Sequence, residues 1–447
     1  MEKQTNFFQS NTAKIIMVGF LTLILLIPLQ FVKSLIEERA VRQKEVVSET
    51  SSKWGENIYF YGPIIKIPYK QTSEVIEYDG KTNQQIKKYI TETKLAYFFP
   101  EELKNTTDVT MVKPLQRSLY KSNVFNAQMD FSGNYVFPNF KINSIAEENI
   151  LWEKATVMIR TTNLKSIKSQ VNFKLGDSVY RFEPTQNKQN DSMSTLETGL
   201  VNLQSLRENK KQDFTFNINY NGSKMIHFAP IGKTTSAKMT SNWPSPSFSG
   251  NFLPNDKNKK ITNKGFEAEW EVLHLNRPFP QQSFEVLPNV KPHAFGVDFI
   301  TTVDQYQQNE RASKYGFLVI GLTFLIFFLI QSISKINIHI FQYSMIGLAL
   351  IMFYTLLISI TEHSSFTLAY VIAGISVIVL ISLYSISILK NKKFPAFIGI
   401  SLSGLYTFIF VIIQMEDYAL LVGSIGLFMI LAAVMYFSRK IDWSLGN

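Results

Sequence analysis

Side chains able to do chemistry are few and scattered along this 447-residue chain. It has no cysteine, which removes thiol nucleophiles and thiolate metal sites, and its five histidines stand at 227, 274, 293, 339 and 363. No two of them lie at the spacing of paired helical metal ligands, and no His-Glu-x-x-His occurs. Ser118 and Lys121 have the Ser-x-x-Lys spacing that serves acyl transfer in penicillin-interacting enzymes. The same spacing recurs at Ser332 with Lys335 and at Ser387 with Lys390, no Lys-Thr-Gly completes the set, and chance accounts for it. Gly232-Lys233-Thr234-Thr235 ends like a phosphate-binding loop, yet His227 occupies the place of the required first glycine. No Gly-x-Ser-x-Gly elbow is present. The expectation is a non-enzyme with no catalytic, cofactor-binding or metal residue and no cofactor.

The remaining candidates are suited to contact rather than reaction. In Trp243-Pro244-Ser245-Pro246-Ser247-Phe248 each proline lacks a donor and restricts the residue before it. Helix and central strand are thereby excluded, which leaves a rigid loop presenting Trp243 and Phe248 to a partner, to lipid headgroups, or as a lid over a sheet. Glu362-His363 is a titratable pair at the edge of an apolar block, a solvated turn or a proton sensor. Asp304, Gln305 and Tyr306 precede another such block, where they would fix the preceding domain to the membrane helices.

Those blocks are the elements that must position everything else. Crossing a hydrocarbon core about 30 Å thick takes roughly 20 apolar residues in a helix, because lipid offers no partner to a bare backbone. Six stretches qualify, at about 15–32, 317–331, 341–360, 366–389, 394–414 and 418–437, and none contains Asp, Glu, Lys or Arg. The first is longer than a cleaved signal and exits without a small-residue cleavage site, so it reads as a retained anchor. Within the spans the polar signal is small residues, among them Gly347, Gly374, Gly399, Gly404, Gly423 and Gly426, which suit close helix packing. Intramembrane charge, the usual mark of an ion route, is missing.

Positive residues resist translocation and so set orientation. Lys3, Lys14, Lys335, Lys390, Lys392, Lys393, Arg439 and Lys440 fall at alternate ends of the spans, whereas the other short loops carry Glu362, Glu416 and Asp417. Both termini are therefore expected in the cytoplasm. The layout reads as a cytoplasmic segment 1–14, an anchor 15–36, a periplasmic β-rich domain 37–314, a five-helix bundle 315–438 and a cytoplasmic tail 439–447. The fold class is a membrane protein of α+β type, six transmembrane helices with a large β-rich domain between the first and second.

Within that domain β-branched and aromatic residues alternate over 74–78 and 88–99 about an Asp79-Gly80 turn signal, the pattern of a hairpin. Similar runs at 124–131, 155–161, 170–175, 213–220, 236–241 and 266–272 predict an antiparallel sandwich or two stacked sheets. Residues 35–52 continue the first helix, and a helical junction at 303–315 leads back to the membrane. The domain carries a mild basic excess, an ordinary solvated surface or an aid to approaching acidic polymers.

Several segments resemble the CreD family of cell envelope integrity proteins. They include 240–248 with Gly250 and Phe252-Leu253-Pro254, 303–307 with Arg311-Ala312 and Lys314-Tyr315, Gly62-Pro63-Ile64-Ile65 with Ile67-Pro68, Phe341-Gln342-Tyr343, Met352-Phe353-Tyr354, Glu362-His363 with Phe366-Thr367, and Ile441-Asp442-Trp443. Their order holds along nearly the whole chain. The resemblance implies a bacterial inner-membrane protein linked to a two-component envelope-stress response, colicin tolerance and β-lactam exposure, and it supplies no catalytic or ligand residue. The expected partners are the lipid bilayer and an envelope polymer, lipid or membrane protein, and not nucleic acid. Three functions stay open at this point: binding or sensing an envelope component, transport or flipping through the bundle, and hydrolysis of cell-wall or lipid material.

Overall fold

The computed structural model describes residues 11–78, 85–185, 193–299, 305–334, 336–389, 393–415 and 418–439. The chain divides into two compact units, one of residues 1–45 with 303–447 and one of residues 46–302.

The first unit is helical. Helix α1 (Asn11–Trp54) spans its N-terminal side and ends in the second unit, where α2 (Gln204–Arg207) lies; α3 (Gln305–Lys314), α4 (Gly316–Ser334), α5 (Ile340–Thr361), α6 (Phe366–Leu389), α7 (Lys393–Gln414) and α8 (Ala419–Ser438) complete the helical set. Six of these, α1 and α4 to α8, are long and apolar enough to cross a bilayer. At about 1.5 Å per residue the 44 residues of α1 reach about 66 Å, twice the hydrocarbon thickness, so its charged second half extends past lipid. Polar caps break the apolar runs. His339 Nδ1 accepts from the Phe341 N–H at 3.2 Å to start α5, and Ser365 Oγ accepts from the Leu368 N–H at 3.3 Å to start α6.

Glycines set the closest helix contacts, because a side chain at those points would meet an atom of the neighbour. A Cβ on Gly316 would stand 2.8 Å from Leu29, and one on Gly347 would collide with Leu25 and stand 2.9 Å from Phe324. These contacts seat α1 against α4 and α5. Aromatic rings fill the interior: Phe324, Phe327, Phe353, Tyr354, Tyr370 and Tyr406 are all at most 4% exposed, and Phe353 lies 4.6 Å from Tyr406.

The second unit is built of strands. In order they are β1 (Ile58–Tyr78), β2 (Gln85–Phe98), β3 (Glu102–Met111), β4 (Leu115–Arg117), β5 (Tyr120–Ser122) and β6 (Phe125–Tyr135). Next come β7 (Thr156–Thr161), β8 (Asn172–Leu175), β9 (Ser178–Thr185), β10 (Ser194–Thr198), β11 (Gln212–Gly222) and β12 (Met225–Phe228). The last are β13 (Thr234–Ser241), β14 (Ser247–Gly250), β15 (Lys260–Thr262), β16 (Gly265–Leu273), β17 (Gln282–Phe284) and β18 (Phe295–Asp298).

Hydrogen bonds run in one path from β14 through β18, β12, β1, β7, β10, β9, β8, β11, β6, β3, β13 and β16 to β15, with β2 and β17 branching from β1. The corner is β9, which pairs with β8 through Ser178–Arg181 and with β10 through Phe182–Thr185. The two halves fold over one aromatic core. Phe60 of β1 stacks on Phe131 of β6 at 4.5 Å, and Phe131 lies nearly parallel to Phe216 of β11 at 4.7 Å. Tyr135 ties the halves with a hydroxyl that donates to the Pro63 carbonyl at 2.8 Å, and Tyr220 donates to Thr161 Oγ1 at 2.7 Å. Pairing is antiparallel except where β1 runs parallel to β12 and β3 parallel to β13.

The hairpin read at 74–99 is formed by β1 and β2, paired from Ile65 with Phe98 to Tyr78 with Gln85. Its Asp79-Gly80 turn lies outside the described residues. The run read at 213–220 extends two residues further, because Asn221 and Gly222 also pair with β6.

Candidate functional site

The tryptophan-proline segment is held from both ends. Trp243 donates its indole N–H to the Ser245 carbonyl at 2.9 Å, and both Trp243 and Phe248 are partly buried against the core. Pro244 is exposed and Pro246 half-buried. Phe248 meets Phe266 and Trp270 edge-on at 5.9 Å each. The loop expected from the prolines ends at Ser247, where β14 begins. A strand is tolerated there because β14 is at the end of the sheet and pairs on one side alone, with β18.

That pairing brings three chemical groups together. Gly296 of β18 stands opposite His227 of β12 on one side and Ser249 of β14 on the other. Without a side chain at 296 the imidazole reaches across, and a Cβ there would collide with the Ile226 carbonyl and stand 2.9 Å from His227 Cδ2. His227 Nε2 lies 2.8 Å from Ser249 Oγ and 3.0 Å from Asp298 Oδ1. Tyr59 packs edge-on to the imidazole at 5.4 Å, and the Lys291 ammonium lies 5.0 Å from the Tyr59 ring. Burial pushes His227 below its ordinary pKa, against the pull of Asp298.

The three residue types suggest a hydrolytic triad, but the geometry is wrong for one. A triad places serine on one ring nitrogen and carboxylate on the other, so that the base can take a proton while its partner holds the ring. Here both face Nε2. The Asp298 carboxylate can only accept, which keeps the proton on Nε2, and Ser249 then has no basic nitrogen to receive its own. The cluster locks β12, β18 and β14 together.

The opposite half of the sheet offers a concave surface. A cleft of about 650 Å³ is lined by Trp54, Asp108, Asn126, Gln128, Lys168, Asn219 and Asn221, with Thr110, Ala127 and Tyr220. Alternation along β3, β6 and β11 turns apolar residues inward and these polar ones outward. Register aligns them: Asn221 opposes Asn126, Asn219 opposes Gln128, and Gln128 opposes Asp108. Trp54, the last residue of α1, closes one end, its indole N–H directed at the Phe125 carbonyl at 3.4 Å. None of these lining residues stood out in the sequence. The available signal was the alternate-position run of amides Asn217, Asn219 and Asn221 facing Asn126 and Gln128.

The other predicted residues lie in the helical unit. Glu362 caps α5 with its side chain 14% exposed and 3.7 Å from Arg39, while His363 is exposed. Tyr306 is buried on α3, and the Gln305 carbonyl accepts from the Asn309 amide at 2.8 Å. Asp304 lies outside the described residues. The structure thus brings Trp243 and Phe248 to one core face and keeps Gln305, Tyr306, Glu362 and His363 in a different unit. Of the rejected motifs, Ser118 sits in the turn of the β4–β5 hairpin and Lys121 is exposed on β5, and Lys233 pairs with Glu101 at 2.7 Å. Among the described residues no group of three or more His, Asp or Glu side chains is placed to hold a metal ion.

Comparison with known proteins adds the decisive finding: a profile described as inner membrane protein CreD matches residues 10–444. The chain belongs to the CreD family. It is 28% identical over 428 residues to the inner membrane protein CreD of Escherichia coli (strain K12), covering 94% of this chain and 91% of that one. A crystal structure from Legionella pneumophila, described as a candidate nutrient binding protein, aligns with 51% of this chain and 77% of its own at 8% identity. Its TM-score of 0.23 is too low to inform fold or function. Membership makes this CreD-family chain a multi-pass inner membrane protein, in keeping with its six apolar helices.

Proposed function

We propose that this CreD-family protein helps maintain the cell envelope under stress by binding or sensing an envelope component through its β unit, which lies on the periplasmic side. The observation that carries this reading is the cleft on the β3–β6–β11 face, where side chains with spare hydrogen-bonding capacity are set into a concavity large enough for a ligand. Orientation is supported by the alternating Lys and Arg pattern and by Lys14, which donates to Asn337 Oδ1 at 3.1 Å and so groups two of the basic ends together. The helices then serve as anchor and signal path. Aromatic packing in the bundle interior speaks against a polar transport route, and the shared Nε2 contact speaks against serine hydrolysis.

The test is photocrosslinking in living cells from a reactive residue placed at Asn217, which is exposed beside the cleft. Capture of glycan, lipid or envelope protein is the expected result. Capture of cytoplasmic proteins alone would overturn the reading.

A further inference from the structure

The cleft lining selects among envelope ligands. We infer that it binds an uncharged saccharide chain, an inference that rests on the envelope-binding reading above. Four carboxamides, on Asn126, Gln128, Asn219 and Asn221, line the same surface. Each presents a donor and an acceptor side by side, which matches the hydroxyl groups of a sugar, since every hydroxyl can both give and take a hydrogen bond. Asn221 is only 6% exposed and yet, among the described residues, its carboxamide has no hydrogen-bond partner; the side chains of Asn126 and Asn219 have none either. The amide atoms of Asn221 open to the cleft rather than being sealed from solvent, so a ligand hydroxyl can take the place of water on them.

Spacing fits a chain rather than a small ion. Opposed pairs Asn221 with Asn126 and Asn219 with Gln128 form two rows, with about 4.8 Å between strands and about 6.8 Å between rows. A saccharide laid over them meets amides at successive hydroxyls. At the end of the cleft Trp54 offers a flat apolar ring to the C–H face of a sugar.

Charge excludes the alternatives. The lining carries one carboxylate, Asp108, which already accepts from the Thr240 hydroxyl at 2.9 Å, and one ammonium, Lys168. The two balance, so the cleft has no net attraction for phosphate or for a cationic peptide.

The experiment uses the full chain in lipid nanodiscs and two probes of shared chemistry, a soluble β-1,4-linked N-acetylglucosamine tetrasaccharide and vesicles bearing a glycolipid with neutral sugars. Binding is measured calorimetrically for the wild type, the double variant Gln128→Leu with Asn219→Leu, and the milder Asn219→Ala, with melting curves to show that each is folded. Expected is binding of at least one probe, which tells free glycan from lipid-linked sugar, weakened at least tenfold in the double variant and less in Asn219→Ala. Equal binding by wild type and both folded variants would overturn the site. Binding of neither probe would overturn the saccharide assignment. In that case, crosslinking of another envelope component from Asn217 would still leave the envelope-binding reading standing.

Discussion

Replacing Gly296 by alanine should unseat the edge of the sheet that carries Phe248 and Ser249. The added methyl collides with the backbone carbonyl of Ile226, an atom that no rotamer change can move, and stands 2.9 Å from both Cα and Cδ2 of His227. Overpacking of this kind costs about 1–3 kcal/mol. Pushing the imidazole off Ser249 or Asp298 loses about one net hydrogen bond, near 1 kcal/mol. The total of about 2–4 kcal/mol converts, at about 2–4 °C per kcal/mol for a unit of this size, to a fall of roughly 4–16 °C in melting temperature. The assay is thermal unfolding of the purified full chain, followed by a β-sheet signal. Gly199→Ala is the control, because a Cβ there has nothing within 4 Å. If the two variants melt together, the His227–Gly296–Ser249 arrangement is wrong.

Two further outcomes follow from the titratable groups. Because burial lowers the His227 pKa in the folded chain, the unfolded chain binds the proton more readily, and the contribution to stability declines as pH falls through the unfolded value of about 6.5. Melting temperature should therefore drop between about pH 7.5 and about pH 5.5, and drop less in His227→Gln; an identical pH profile for that variant would refute the assignment. Glu362 meets a half-exposed Arg39 at 3.7 Å, a contact worth at most about 1 kcal/mol, so Glu362→Gln with His363→Gln should leave stability and envelope tolerance nearly unchanged. Loss of tolerance in that variant would instead point to a proton-linked activity.

Which parts of the fold could be read from sequence depended on how locally each was encoded. The six spans were legible because lipid forbids charge over a whole helix, and each block states that by itself. The β1–β2 hairpin was legible because its partners adjoin. Strand β3 was not, although its burial alternates strictly, because two inward positions are Asn105 and Thr107. Thr107 donates its hydroxyl to Asn105 Oδ1 at 2.9 Å inside the sheet, which hides a core-facing strand behind polar residues. Strand β14 was missed because its partner β18 comes some fifty residues later.

The site was less legible still. Asn126, Gln128, Asn219 and Asn221 read singly as an ordinary wet strand face, and they become a cleft only when β11 pairs with β6 and the end of α1 delivers Trp54. His227 and Asp298, seventy-one positions apart, carry no spacing signal at all. The prolines after Trp243 correctly ruled out a central strand, and an edge strand begins once they are past.

The account depends on the β unit facing away from the side that holds both termini. Since the chain has no native cysteine, single cysteines can report this directly. Leu200→Cys, at an exposed position of the β unit, and Asn337→Cys, in the exposed loop between α4 and α5, are treated in intact cells with a membrane-impermeant maleimide. Labelling at 200 in intact cells, with labelling at 337 only after lysis, is the predicted result. Labelling at 337 with protection at 200 would contradict it.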